Sequence, residues 1–159
     1  VINYYAPYDL QTPGSLTASF AYVFGKTGLL SADYKYKDYS KTEFGPENDP
    51  YYRGLNNAMR NALGSSNEIR VGAEYRIQNF KLRGGYRFEG SPYKDSRTIG
   101  DLNSFSGGLG YNFGLIKLDL SYVHVHSTSQ EQFFSQGFTE RAQINTYKNN
   151  FTMTFTFEM

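Results

Sequence analysis

Hydrophobic and polar residues alternate along one long stretch of the chain, IRVGAEYRIQNFKLRGGYRF at residues 69–88. Every second residue from Ile69 to Ile77 is apolar, and the pattern restarts at Phe80 after Gln78-Asn79. A period of two residues is typical of a β-strand with two different faces, and two such runs around a short turn predict a hairpin. One face of this hairpin carries no charge in the sequence, whereas the other is rich in Arg, Lys and Glu.

The same period recurs in five other segments, so that seven strands are predicted in all. Through the middle of each strand the apolar face holds no Lys, Arg, Asp or Glu. The connections alternate in length, with short turns at 25–27, at 78–79 and around Gly114. Long loops are predicted at 40–66, 90–103 and 127–143. The five other strand segments are 16–24, 28–39, 105–113, 115–125 and 144–159.

Strand length and loop asymmetry together predict the fold class. Short turns at one end and long loops at the other are typical of an outer-membrane barrel, and strands of about 10 residues span a bilayer when tilted. We therefore expect an all-β fold, an antiparallel transmembrane β-barrel with long extracellular loops. A soluble antiparallel sandwich also alternates apolar and polar faces, but it explains the strand length and the loop asymmetry less well.

Composition supports this prediction and excludes several other classes. The 159 residues have a mean hydropathy of −0.58 yet are 18% aromatic, a combination typical of strands that alternate lipid-facing and lumen-facing residues. No apolar run approaches the roughly 20 residues of a membrane-spanning helix. The net charge of +1 gives no reason to expect a nucleic-acid partner. The absence of cysteine excludes disulfides and thiolate metal sites.

The strand count does not match a closed barrel. With long loops outside the cell, seven strands would place the start of the chain outside and its end in the periplasm, whereas such barrels have an even number of strands. We therefore expect 1–159 to be one β-barrel domain forming the C-terminal part of a larger barrel. An additional strand at 3–8 would instead give a small eight-stranded barrel, although Pro7 makes that segment a poor central strand.

Three pieces of the chain carry a resemblance to a known family. YDLQTPGSLTASFAYVFGKTGLLSADYKYKDYS, NEIRVGAEYRIQNFKLRGGYRFEGSPY and FSGGLGYNF resemble the C-terminal half of FadL/TodX-like outer-membrane transport proteins. The resemblance implies a 14-stranded barrel, of which seven strands lie here, and passive uptake of fatty-acid or aromatic-hydrocarbon type molecules. It also implies that the barrel-assembly machinery engages the aromatic C-terminal strand. The family's plug and lateral gate correspond to the other half, so no gating residue is carried over.

The longest loop contains a predicted helix, DPYYRGLNNAMRNALG at 49–64. Asp49 is placed as its N-cap, Pro50 as its first residue and Gly64 as its stop. One face of the helix carries Leu55, Met59, Ala62 and Leu63. Leu55, Met59 and Leu63 are candidates for an extracellular apolar ledge on which a hydrophobic ligand first lands. The simpler interpretation is that this face packs on neighbouring loops and caps the barrel.

The charged strand face supplies the other candidate substrate-binding residues. An Arg on this face could pair with a ligand carboxylate, but such residues more often form a mutually neutralising network that fills or braces the lumen. The candidates are Arg70, Glu74, Arg76, Arg83 and Arg87.

No catalytic or metal site is predicted. His124 and His126 are spaced for one side of a strand and could share a metal, but no third ligand is identifiable. Ser127 lies beside His126, yet no G-x-S-x-G pattern occurs. We expect no cofactor and no enzymatic activity.

The expected function is passive uptake of small hydrophobic molecules through a bacterial outer membrane. The expected partners are membrane lipid and lipopolysaccharide, a hydrophobic small-molecule ligand, the barrel-assembly machinery and other outer-membrane proteins. The alternative is a structural or complex-forming barrel with a closed lumen and no transport activity.

Overall fold

A computed structural model describes residues 8–133 and 140–157 of the chain. This part contains nine β-strands, one α-helix and one short 3-10 turn, Tyr39–Lys41. The helix is α1 (Pro50–Ala62). The strands are β1 (Asp9–Gln11), β2 (Ser15–Phe24), β3 (Gly28–Asp38), β4 (Glu43–Gly45), β5 (Ser65–Ile77), β6 (Phe80–Glu89), β7 (Ile99–Asn112), β8 (Ile116–Glu131) and β9 (Ala142–Phe157).

Seven of the strands form one antiparallel sheet in the order β2-β3-β5-β6-β7-β8-β9. Each strand pairs with the next one of the sheet along the chain, so the predicted all-β, antiparallel class is confirmed. Within the described residues the sheet is open, because β2 and β9 are each paired on one side only. An edge strand presents a row of unpaired N–H and C=O groups.

Three tight turns join the strands at one end of the sheet, which we call the turn end. Each turn contains a residue with positive φ: Gly25 at +57°, Gln78 at +51° and Gly114 at +101°. Positive φ at the turn is what joins two strands that twist in the right-handed sense. All three turns lie where the sequence predicts short connections.

The opposite, loop end of the sheet extends further than predicted. β5 begins at Ser65, β7 at Ile99, and β8 continues to Glu131, into regions predicted as loops. These extensions are rich in Ser, Asn and Thr and therefore lack the alternating apolar residues on which the prediction depended. Backbone pairing across the ladder stabilises them without an apolar face.

A small cap lies at the loop end. β1 and β4 form a separate two-stranded sheet, and α1 packs on β4 and on the 3-10 turn. Asp49 is the N-cap and Pro50 the first residue of α1, as predicted, and the Asp49 carboxylate accepts a hydrogen bond from the Tyr51 amide at 2.8 Å. The helix ends at Ala62 with the extended Leu63 as its C-cap, and Gly64 follows directly, as expected of the predicted stop.

One buried side-chain amide connects helix α1 to strand β4 within the cap. Asn56 accepts a hydrogen bond from the Phe44 amide at 2.7 Å and donates one to the Phe44 carbonyl at 3.0 Å. The side chain therefore extends the edge of β4 much as a neighbouring strand would. No helix in the described ranges, 8–133 and 140–157, is long and apolar enough to cross a membrane.

Candidate functional site: the two faces of the sheet

The distribution of buried residues is inverted relative to that of a soluble domain. Within residues 8–133 and 140–157 no hydrophobic residue is buried. The buried side chains are all polar: Asn56, Ser66, Glu68, Ser91 and Ser104. Soluble domains bury apolar side chains to gain stability, so this sheet needs an apolar environment on one side or a further layer.

One face of the sheet, the apolar face, is continuous across all seven strands. The ladder places Leu30, Ala73, Gly84 and Gly107 in one row, and Leu82, Leu109 and Leu120 in the next. Between its polar borders this face carries no Lys, Arg, Asp or Glu. Many of its large side chains are exposed, including Phe20 at 65% and Phe151 at 81%. A patch of this extent marks contact with a partner or a membrane.

A row of tyrosine–asparagine pairs borders the apolar face at the loop end. Three tyrosine hydroxyls on this face donate hydrogen bonds to asparagine side-chain oxygens on the next strand. In each pair the asparagine lies two residues before the direct cross-strand partner of the tyrosine. The pairs are Tyr34–Asn67 at 2.6 Å, Tyr86–Asn103 at 2.7 Å and Tyr122–Asn149 at 2.8 Å.

An aromatic row borders the same face at the turn end. We call Asn67, Asn103 and Asn149 the upper belt and Tyr75, Tyr111 and Phe157 the lower belt. On each of the strands β5, β7 and β9, the two belt positions are separated by eight residues. Eight residues correspond to about 27 Å along a strand.

Both belts run obliquely across the strands. Asn103 on β7 pairs with Phe88 on β6, which pairs with Ile69 on β5. The belt residue of β5, Asn67, therefore lies two residues away from the position level with Asn103. Following the ladder from Asn149 through His124 leads to Phe105, again two residues from Asn103. Each belt therefore shifts by two residues, about 6.8 Å, for every two strand spacings, about 9.6 Å. This slope corresponds to an angle of about 35° between the belts and the perpendicular to the strands.

His124 and His126 belong to the upper border of the apolar face. The Nδ1 atom of His124 lies 2.7 Å from the Asn149 side-chain oxygen, and the His126 ring stacks on Tyr147 at 4.6 Å. No group of three or more His, Cys, Asp or Glu side chains within the described ranges is arranged to hold a metal ion. Both imidazoles thus pack within the border, with Asn149 and Tyr147.

The opposite, charged face carries two clusters of ion pairs. In the loop-side cluster, Glu68 contacts Arg70 at 2.5 Å and Arg87 at 2.7 Å, and Arg87 also contacts Glu89 at 2.5 Å. Glu68 is buried, with both arginines over it. The cluster contains two cations and two anions, so its formal charge is zero.

The turn-side cluster also contains two cations and two anions. Glu74 contacts Arg76 at 2.5 Å and Arg83 at 2.7 Å, and Arg83 reaches Asp119 at 2.7 Å. Arg83 on β6 passes over β7 to reach β8. Gly110 leaves room for this contact, because a Cβ added there would lie 2.5 Å from the Asp119 Oδ1 atom.

Between the two clusters the charged face forms a hollow of about 520 Å³. Its floor contains Gly72 and Gly85, where an added Cβ would lie 3.0 Å from the Ser31 hydroxyl oxygen and 2.7 Å from that of Ser106, respectively. Ser104 also lines the hollow and is 7% exposed. The remaining lining includes Leu29, Val123 and Val125.

The structure places the predicted charged residues on one face. Arg70 and Arg87 lie in the loop-side cluster, and Glu74, Arg76 and Arg83 lie in the turn-side cluster. The clusters are completed by Glu68, Glu89 and Asp119, which were not predicted as site residues from the sequence. The hollow was not predicted either. The Glu74–Arg83 pair could have been predicted from the sequence, because the two residues carry opposite charges and lie opposite each other in the hairpin around Gln78-Asn79.

The predicted helix residues lie apart from the clusters, in the cap. Leu55, Met59 and Leu63 are half-buried, and they share one helical face with the buried Asn56 and the half-buried Tyr52. Their role as a ligand ledge stays a prediction.

Comparisons of the chain with models of known families, with curated proteins and with solved structures return no match.

Proposed function

We propose that this sheet is part of the wall of a bacterial outer-membrane β-barrel through which small hydrophobic molecules pass. The main support for this proposal is the distribution of buried and exposed residues. The buried side chains are polar, whereas the large side chains of the apolar face are exposed from one belt to the other. Lipid is the environment in which such an apolar face is stable. Aromatic residues and polar partners at its two borders suit the membrane–water interfaces.

The oblique belts support the proposal quantitatively. If the belts are parallel to the membrane plane, the strands are tilted by about 35°, which falls within the range of outer-membrane barrels. The belt separation of about 27 Å along the strands then becomes about 22 Å along the membrane normal. The apolar band of such barrels is about 25 Å tall. Tilt and thickness therefore agree with a single membrane placement.

The proposal requires partners for the two edges of the sheet. A bilayer provides no water for the unpaired N–H and C=O groups of β2 and β9, and each such group costs several kcal/mol in hydrocarbon. Further strands must close the wall, as the FadL-like resemblance implies. Together with the charged face, they would enclose the lumen through which the solute moves.

A transport role is tested in cells that carry a lipopolysaccharide leaflet, because hydrophobic solutes cross simple lipid vesicles unaided. The chain, within a protein whose further strands close the wall, is directed to the outer membrane of a Gram-negative host, and uptake of a neutral aromatic compound is compared with that of cells without the chain. We expect a band in the membrane fraction whose gel mobility changes on boiling, together with saturable uptake. Absence of the chain from the outer membrane would contradict the whole proposal.

The second candidate is a structural barrel without transport activity. It is favoured by the two ion-pair clusters, since every arginine of the clusters already contacts a carboxylate and the network braces the lumen side. A heat-modifiable membrane band with no uptake above that of control cells would support this candidate and exclude the first.

A further inference from the structure

We propose that the apolar face binds the lipid A anchor of lipopolysaccharide, with one acyl chain in a groove floored by glycine and a phosphate at the upper belt. The inference rests on the proposed function, in that the apolar face lies in an outer membrane. It goes further by naming the seat of a single lipid molecule on strands β7, β8 and β9 and the side chains that recognise it.

The groove lies where two paired glycines leave the apolar face without side chains. Gly84 and Gly107 are opposite each other on β6 and β7, and a Cβ added to either meets nothing within 4 Å. The space beside Gly107 has a volume of about 670 Å³, within the range of small-molecule sites. Its walls are apolar or aromatic side chains: Leu82, Leu109, Leu120, Tyr122, Phe151 and Met153.

The groove lies at a depth that an acyl chain reaches from the upper belt. Gly107 is four residues from Asn103 of that belt, half of the eight-residue separation between the belts. Four residues correspond to about 14 Å along the strand. One leaflet of the hydrocarbon core is about 15 Å thick. A chain whose head group lies at the upper belt therefore extends into the groove.

One tyrosine connects the groove to the upper belt. The ring of Tyr122 borders the groove and lies 4.7 Å from that of Phe151, and its hydroxyl donates to the Asn149 side-chain oxygen at 2.8 Å. The Nδ1 atom of His124 lies 2.7 Å from the same oxygen. Because the oxygen takes both contacts, the amide nitrogen of the exposed Asn149 points away from them. Its two N–H groups are donors for an oxygen of a lipid head group.

A second polar group at this border lacks a partner. The Nε2 atom of His126 is buried and has no hydrogen-bond partner within residues 8–133 and 140–157. Buried polar atoms are normally hydrogen-bonded. The ring of Tyr147 stacks on this imidazole at 4.6 Å and is 61% exposed, so it can turn aside to admit a head group. A phosphate oxygen would then be the missing partner.

The charge of this border suits an anionic head group. The apolar-face positions of β8 run from Ile116 to Gln130 and those of β9 from Gln143 to Phe157, and none of them is Asp, Glu, Lys or Arg. A phosphate on these strands therefore meets amide N–H groups and two imidazoles but no carboxylate. Long loops are extracellular in outer-membrane barrels, so the upper belt faces the outer leaflet, whose phosphate-bearing lipid is lipid A.

The test measures lipid binding by native mass spectrometry. The chain, within a protein whose further strands close the wall, is purified in detergent and freed of lipid. It is titrated with diphosphoryl lipid A, with the same lipid A stripped of phosphate, with phosphatidylglycerol and with inorganic phosphate. We expect saturable binding of diphosphoryl lipid A, at least about tenfold tighter than that of the dephosphorylated form and of phosphatidylglycerol. Inorganic phosphate should not compete, because it lacks the acyl chain.

Two matched pairs of variants localise the site. Gly107→Leu fills the groove and should weaken lipid A binding about tenfold, whereas Ala18→Leu, which enlarges a side chain of the same face on β2, should not. Asn149→Leu removes the donor for the head group and should also weaken binding about tenfold. Asn67→Leu breaks the equivalent tyrosine–asparagine pair on β5 and should leave binding unchanged. A change of gel mobility on boiling confirms that each variant is folded.

The outcomes separate this inference from the proposed function. Equal binding of the two forms of lipid A, equal or tighter binding of phosphatidylglycerol, or equal effects within either pair of variants would overturn the inference, even where cells take up neutral aromatics. Selective binding of diphosphoryl lipid A that Gly107→Leu and Asn149→Leu both weaken would support the site, even where uptake is absent.

Discussion

The two faces of the seven-stranded sheet differ in what their side chains contact. On the charged face, polar groups pair with one another, so that Glu68 is buried beneath two arginines. On the apolar face, side chains as large as Phe151 remain exposed, and the side-chain hydrogen bonds found among residues 8–133 and 140–157 lie at its borders, as in the Tyr122–Asn149 pair. Ion pairs within the charged face stabilise it, whereas the exposed side chains of the apolar face would be stabilised by removal from water.

The difference appears most clearly at adjacent residues with opposite orientations. Leu120 belongs to the apolar face and Ser121 to the charged face, and both lie between the levels of the two belts. If the apolar face lies in lipid, as proposed, an arginine at Leu120 would lie near the bilayer centre and should destabilise the folded protein by about 2–4 kcal/mol. Ser121→Arg should cost less than about 1 kcal/mol, because Ser121 lies on the charged face, where a polar side chain stays in contact with water. Denaturant unfolding in lipid vesicles measures both, and equal effects would contradict the assignment of the faces.

The second comparison lies within the charged face and concerns how many carboxylates an arginine holds. Arg83 contacts both Glu74 and Asp119, whereas Arg76 contacts Glu74 alone. Arg83→Met should destabilise the fold by about 1 kcal/mol, a modest value because the guanidinium is partly exposed. Arg76→Met should cost only a few tenths of a kcal/mol. The same vesicle unfolding assay applies, and a larger loss for Arg76→Met would refute the bridging role of Arg83.

The third comparison concerns the border of the apolar face. Tyr86→Phe removes the hydroxyl that donates to Asn103 and should cost about 0.5–1 kcal/mol. Tyr111→Phe is the matched control on the lower belt, since the Tyr111 hydroxyl makes no hydrogen bond within the described ranges. Similar unfolding midpoints for the two variants would show that the tyrosine–asparagine pairs do not stabilise the border.

The loop between β6 and β7 provides a region that lies on neither face. Backbone amides of Arg97 and Thr98 donate to the Asp95 carboxylate and lower the pKa of Asp95, and Arg141 lies 3.5 Å from it. Because the pKa is lower in the folded protein, the stabilisation is complete above about pH 4 and is lost as the pH falls further. The Arg97 and Thr98 amide NMR signals should titrate below pH 4, whereas Asp95→Asn should abolish that titration. An unchanged titration in Asp95→Asn would exclude Asp95 as its source.

Local order was predictable from the sequence wherever side chains alternate around a tight turn. The hairpin at Gln78-Asn79 and the N-terminus of α1 at Asp49 both follow from neighbouring residues. The longer β8 and the β1–β4 pair were missed because backbone pairing, rather than hydrophobic alternation, stabilises them.

The candidate site was less predictable for the same kind of reason. Arg83 reaches Asp119 across an intervening strand, 36 positions further along the chain, and only the register of three strands brings the two groups together. The hollow at Ser104 likewise depends on glycines in other strands.

The most direct test of the membrane assignment uses single cysteines, for which the chain has no background because it contains none. A fluorescent label is placed in turn at positions 67–77 and 103–112, in a chain folded into vesicles, and is quenched either from the lipid or from the water. We expect strong lipid quenching at Val71 and Ala73 and weak lipid quenching at Gly72 and Glu74. On each strand the quenching should fall at the two belt positions, which on β7 lie two residues away from the level of those on β5. Quenching from the water at every position, or an alternation of the opposite phase, would contradict the membrane assignment.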